Sequence, residues 1–129
     1  MKNILIIDDD VKTSSEYKKW LDDGEFNSTL ISDPQTAELN FKSIDYDLVL
    51  IGFKMSVIDG FDLYNKLHDL SKKVEYTPRE FRICFMTSSV INYKVLAEIH
   101  LELGEECYVS KEVPREVFIK HVNSLISQL

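Results

Sequence analysis

Ile4-Leu5-Ile6-Ile7-Asp8-Asp9-Asp10 carries two signals in seven residues. Four consecutive apolar residues leave no polar face, the pattern of a strand covered on both sides within a parallel sheet. Three carboxylates follow at once, so this strand ends where charge collects. The chain then changes to helical spacing: Asp10 is placed to cap a helix on which Tyr17, Trp20 and Leu21 share a face.

The same alternation runs outward to the end of the chain. Asn27 to Ile31 is a weaker, more polar strand suited to a sheet edge. Asp33-Pro34 opens a second helix, with Asp as N-cap and Pro at its first position, and Ala37, Phe41 and Ile44 recur there at helical steps. Leu48-Val49-Leu50-Ile51 is a second fully apolar strand. Asp59-Gly60 makes a turn into a helix bearing Phe61, Tyr64 and Leu67 on one side. Ser71 to Glu80 is polar, contains Pro78 and reads as a loop or an extended helix end. Ile83-Cys84-Phe85-Met86 is a strand, Val95, Leu96 and Ile99 mark a helix, and Cys107-Tyr108-Val109 is a short last strand. Pro114 begins a final helix with Phe118, Val122, Leu125 and Leu129 in step.

Five strands alternating with five helices predict an α/β domain, a parallel sheet doubly wound because crossovers are right-handed. The strands that begin at Ile4 and Leu48 are the most apolar and belong in the middle, which gives the order 2-1-3-4-5. The length of 129 residues suits one domain spanning 1–129.

Bulk properties narrow the function. Hydrophobic residues make up 44% and charged residues 29%, enough for a real core. No apolar run exceeds four residues, far short of the roughly 20 that span a bilayer. The N-terminus has no signal-peptide pattern, so a cytoplasmic location is expected. Fifteen Lys and Arg against 22 Asp and Glu give a net charge of −7, which disfavours direct nucleic-acid binding. Cys84 and Cys107 lie in apolar, strand-like segments and read as buried thiols rather than redox or metal groups.

In open parallel sheets, functional groups gather at the carboxyl ends of the strands, near the switch in strand order. The first strand ends in Asp8, Asp9 and Asp10, whose mutual repulsion calls for water, a cation such as Mg²⁺ or a nearby lysine. Helix capping accounts for Asp10 but not for the other two. Thr87 ends the fourth strand, where a hydroxyl can donate to an anion or cap the next helix. Ser110-Lys111 ends the fifth, and Lys111 is a natural partner for the carboxylates. Tyr108, taken alone, reads as a packed aromatic.

In this order and on this topology, these residues resemble one family across the whole chain: the receiver domains of two-component response regulators. Ile4 to Asp9 resembles its first strand and acidic pair, Tyr46 to Ile51 its third strand, and Ile58-Asp59-Gly60-Phe61 the turn after it. Met86-Thr87-Ser88 is similar to its Leu-Thr-Ala segment, and Tyr108-Val109-Ser110-Lys111 to its Tyr-x-x-Lys ending. The resemblance implies a flavodoxin-like (βα)5 fold and a phosphorelay. A partner histidine kinase donates phosphate to an aspartate at the end of the third strand, with Mg²⁺ held by the acidic pair and that aspartate. The Thr and Lys then hold the phosphoryl oxygens, and a Thr–Tyr switch, here Thr87 and Tyr108, changes the face made by the fourth helix, fifth strand and fifth helix. On that face Tyr93, His100, Tyr108 and Lys120 are expected to be exposed and to meet a kinase or a downstream effector.

The sequence departs from the family at the acceptor itself. After the third strand the chain reads Gly52-Phe53-Lys54-Met55-Ser56-Val57-Ile58-Asp59-Gly60, so Gly52 stands at the acceptor position and Ser56 at a position where the family has proline. Asp47 lies about 16 Å back along an extended strand and cannot substitute; Asp59 belongs to the turn. Glycine offers no nucleophile, and one Mg²⁺ ligand is lost with the carboxylate. A weak Mg²⁺ site at Asp8 and Asp9, or none, is therefore expected, together with a direct contact from Lys111 to one of these acids. Two readings of Gly52 follow: a native pseudo-receiver acting through protein contacts, or an ordinary phosphoacceptor in which the aspartate has been replaced. The departure at Ser56 favours the first. A flavin carrier of the same topology would need a Ser/Thr/Gly-rich phosphate loop where three aspartates stand. No enzymatic activity is expected.

Overall fold

A computed structural model describes residues 2–41, 46–53, 55, 58–72, 82–87 and 107–127. Its elements are β1 (Lys2–Ile7), α1 (Val11–Asp23), β2 (Phe26–Ile31), α2 (Pro34–Asn40), β3 (Leu48–Gly52), α3 (Gly60–Lys72), β4 (Arg82–Thr87), β5 (Tyr108–Ser110) and α4 (Arg115–Ser127). The sheet is five-stranded and ordered β2-β1-β3-β4-β5. All four strand pairings are parallel. The flavodoxin-like order expected from apolar content is the one observed.

Central strands β1 and β3 contribute Ile4 to Ile7 and Leu48 to Ile51, each at most 1% exposed. β2 alternates buried and exposed residues from Phe26 to Thr29, as an edge strand with one covered face should. Register is in phase across the sheet: Ile7 faces both Ile31 and Ile51, and Gly52 faces Met86. The strands' carboxyl ends therefore finish at one rim. At the opposite end, buried Asp47 accepts a hydrogen bond from the Asn3 N–H at 2.8 Å, a structural role far from that rim.

The helix starts follow local chemistry. The Asp10 carboxylate accepts from the Thr13 N–H and Asp33 from the Gln35 N–H, with Pro34 opening α2. Asp59 accepts from the Phe61 N–H at 2.8 Å and so starts α3. On α4, Phe118, Val122 and Leu125 are buried. Cys84 and Cys107 are both buried.

One expectation needs correction. The second helix is shorter than the spacing of Ala37, Phe41 and Ile44 suggests. It ends at Asn40, Phe41 turns extended, and the Phe41 ring stacks on Tyr46 at 6.3 Å; Ile44 lies outside the described residues. On α3 the fully buried pair is Leu63 and Leu67. Phe61 and Tyr64 pack partly buried against the same core, with rings 4.7 and 5.6 Å from Phe85. The segment 73–80 and the helix expected around Val95 to Ile99 lie outside the described residues, as does Leu129.

Candidate functional site

Asp8 sits one residue beyond β1, completely buried. Its Oδ1 accepts from the Asp10 N–H at 3.1 Å, and its Oδ2 lies 2.6 Å from the Lys111 Nζ. The Lys111 side chain is itself only 15% exposed. A carboxylate removed from water is tolerated when matched by a cation and a donor, and here both are supplied locally.

Lys111 reaches this place because its backbone is held at both ends. Its N–H donates to the Thr87 carbonyl at 2.7 Å, continuing the β4–β5 ladder. Its carbonyl accepts from the Tyr17 hydroxyl. Tyr17 is buried on α1 and stacks on Phe118 of α4, with Trp20 tilted against both. Burial, reinforced by the charges of Glu16, Asp10, Asp8 and Glu112, pushes the Tyr17 pKa up to about 12. The sequence marked Tyr17 only as part of an apolar face. A tyrosine where phenylalanine would pack equally well is the signal that could have revealed its hydroxyl's task.

Gly52 closes the rim on the other side of Asp8. A Cβ built on Gly52 would stand 2.7 Å from both the Cγ and the Oδ1 of Asp8 and 3.0 Å from its Oδ2. Behind it, a Cβ on Gly60 would stand 2.8 Å from the carbonyl oxygens of Gly52 and Phe53, so α3 abuts the end of β3 through a second glycine. The Phe53 N–H donates to the Met86 carbonyl at 2.9 Å.

Of the residues singled out from sequence, Asp8 and Lys111 come together in direct contact, and Gly52 stands against the Asp8 carboxylate. Asp9 is half-buried beside them. Thr87 is buried at the end of β4, paired in register with Ser110. Tyr108 was expected on an exposed contact face, and this is corrected: it is 3% exposed and stacks on Phe85 at 5.8 Å. Its ring joins the aromatic group formed by Phe53, Phe61, Tyr64 and Phe85, and this packing draws it inward. Lys120 is exposed on α4, while Tyr93 and His100 lie outside the described residues. An open cleft of about 520 Å³ adjoins the site, lined by Asp10, Thr13, Tyr17, Trp20, Lys111 and Val113 among others. No helix among the described residues is long and apolar enough to cross a membrane.

Known proteins share this fold. Among solved structures, the non-phosphorylated HemR receiver domain from Leptospira biflexa matches with a TM-score of 0.76 at 20% identity, over 98% of this chain and 95% of that one. The Vibrio cholerae chemotaxis protein CheY4 matches with a TM-score of 0.76 at 18% identity, over 97% and 98%. Both are likenesses of fold. In sequence, the response regulator protein GraR of Staphylococcus saprophyticus is 26% identical over 95% of this chain and 50% of its own length. The 3',5'-cyclic-nucleotide phosphodiesterase regA of Dictyostelium discoideum is 25% identical over 98% of this chain but 15% of its own length. The chain thus spans half or less of these curated relatives. The family model for the response regulator receiver domain matches residues 4–123, nearly the whole sequence, and the chain belongs to that family.

Proposed function

We propose that this receiver domain signals by protein–protein contact without accepting phosphate. The observation that carries the reading is at Gly52: the residue at the acceptor position has no side chain, and the space where one would begin is filled by the Asp8 carboxylate. A glycine supplies no nucleophile. Asp47 is held at the other end of β3, and Asp59 is committed to capping α3.

The residues present do not suit Mg²⁺. A hard divalent cation needs several oxygen ligands, but both Asp8 oxygens are engaged, by the Asp10 N–H and by Lys111, and position 52 contributes none. In this reading the charge of Lys111 takes the metal's place, and Asp9 attracts a cation only loosely. Thr87 and Tyr108 then rest in a single arrangement set by packing, since no ligand distinguishes two states and a ligand shifts an equilibrium only through differential affinity. A protein partner, kinase or effector, reads that arrangement in the cytoplasm. The exposed Lys120 side of α4 is the described part of the surface it would meet.

The test is direct. The protein is incubated with a small acyl phosphate and Mg²⁺ and its intact mass is recorded. The expected result is no phosphorylated species. A stoichiometric phosphoryl adduct on any aspartate would overturn the proposal.

A further inference from the structure

We infer that Gly52 and the Asp8–Lys111 pair are a matched set, so that any side chain at position 52 and the present ion pair exclude one another. The exclusion is steric and stands by itself, although its functional meaning rests on the reading of Gly52 given above. Carbon atoms in contact sit about 3.5–4.0 Å apart, whereas a Cβ at position 52 would lie 2.7 Å from the Asp8 Cγ. Something has to move.

The backbone of Gly52 is poorly placed to do so. It is fixed in register against Met86, and the first turn of α3 presses on its carbonyl closely enough to require Gly60. The Asp8 carboxylate must yield instead. It is fully buried, and any swing breaks its contact with Lys111 and its bond from the Asp10 N–H. Thr87 and Tyr17 hold the Lys111 backbone, so its ammonium can follow only through the torsions of its side chain. Glycine at position 52 is therefore a requirement of the neighbouring acid and not a neutral gap. Gly52→Asp alone sets a second carboxylate against the first, where like charges disfavour joint ionisation. A carboxylate there is accommodated only when Asp8 has first been released from Lys111.

A stability cycle in denaturant tests this with four proteins: wild type, G52A, D8A/K111M, and the triple variant. Replacing both members of the pair leaves no stranded charge. Gly52→Ala is expected to lower the folding equilibrium constant about tenfold more in the wild type than in the D8A/K111M background. In that background alanine should be neutral or favourable, since glycine weakens a strand. An equal effect in both backgrounds overturns the inference. If G52A fails to fold, folding of the triple variant supports the inference, and its failure beside a folded D8A/K111M overturns it. Native amine acylation gives a separate reading: Lys111 in G52A should label several-fold faster than in wild type, and an unchanged rate counts against the exclusion. Neither measurement involves phosphate, so phosphate uptake by the wild type would sink the proposed function and leave this inference intact.

Discussion

At Lys111, three groups of one residue reach three parts of the molecule. The N–H bonds β4, the carbonyl receives α1 through Tyr17, and the ammonium neutralises Asp8 at the end of β1. Only the last depends on the side chain. Lys111→Met should strand a fully buried carboxylate and lower stability by about 3–5 kcal/mol, measured by urea unfolding. Removing Asp8 in the same chain should recover part of that loss. Tyr17 yields a pH prediction. Its folded pKa of about 12 lies above the ordinary value of 10.0, so its contribution is fully present below pH 10 and is lost as pH rises towards 12. Tyr17→Phe should flatten the stability profile in that window in alkaline unfolding titrations. The acids and Lys111 were legible in the sequence because charge at strand ends has few bland explanations. Which acid Lys111 meets was not, because Asp8 and Asp9 differ only in the face towards which the chain turns them.

At the level of elements, the caps carry most of what can be altered cheaply. Glu25, just beyond α1, is the one described non-glycine residue with a positive φ, at 68°. Glycine is the residue that meets no penalty there. Glu25→Gly should stabilise the protein by about 1 kcal/mol, seen as a higher thermal midpoint. Asp33→Ala should cost about 1 kcal/mol through loss of the α2 cap. Strand identities, caps at Asp10 and Asp33 and the faces of α1 and α4 followed from local patterns, because each is decided within a few residues. The end of α2 did not: Phe41 continues the helical spacing, but its ring gains more by stacking on Tyr46. Tyr108 was misread as exposed for a similar reason, since its burial depends on Phe85 in a different strand.

Across the whole molecule, stability should be graded from the centre of the sheet outward. β1 and β3 are covered on both faces and paired on both sides, whereas β2 and β5 stand at the two ends of the order among the described strands. Native-state hydrogen exchange should therefore be slowest at Ile4 to Ile7 and Leu48 to Ile51. β5, with three residues, should open first among the strands. Protection highest in β5 would contradict this ordering. The sheet order itself could be anticipated because apolar content ranks strands by depth, a property of composition rather than of any distant contact.

Trp20 is the chain's lone tryptophan. It lies 5.3 Å from Tyr17 and 5.8 Å from Phe118, on the wall of the cleft that Lys111 also lines. Its indole is thus an optical sensor built into the seam between α1 and α4. Tyr17, close enough to pass excitation energy to it, is the same residue whose hydroxyl holds the Lys111 carbonyl. Anything that loosens the pair at Asp8 should change the colour and yield of that emission, so the state of the rim can be followed by light with no label attached.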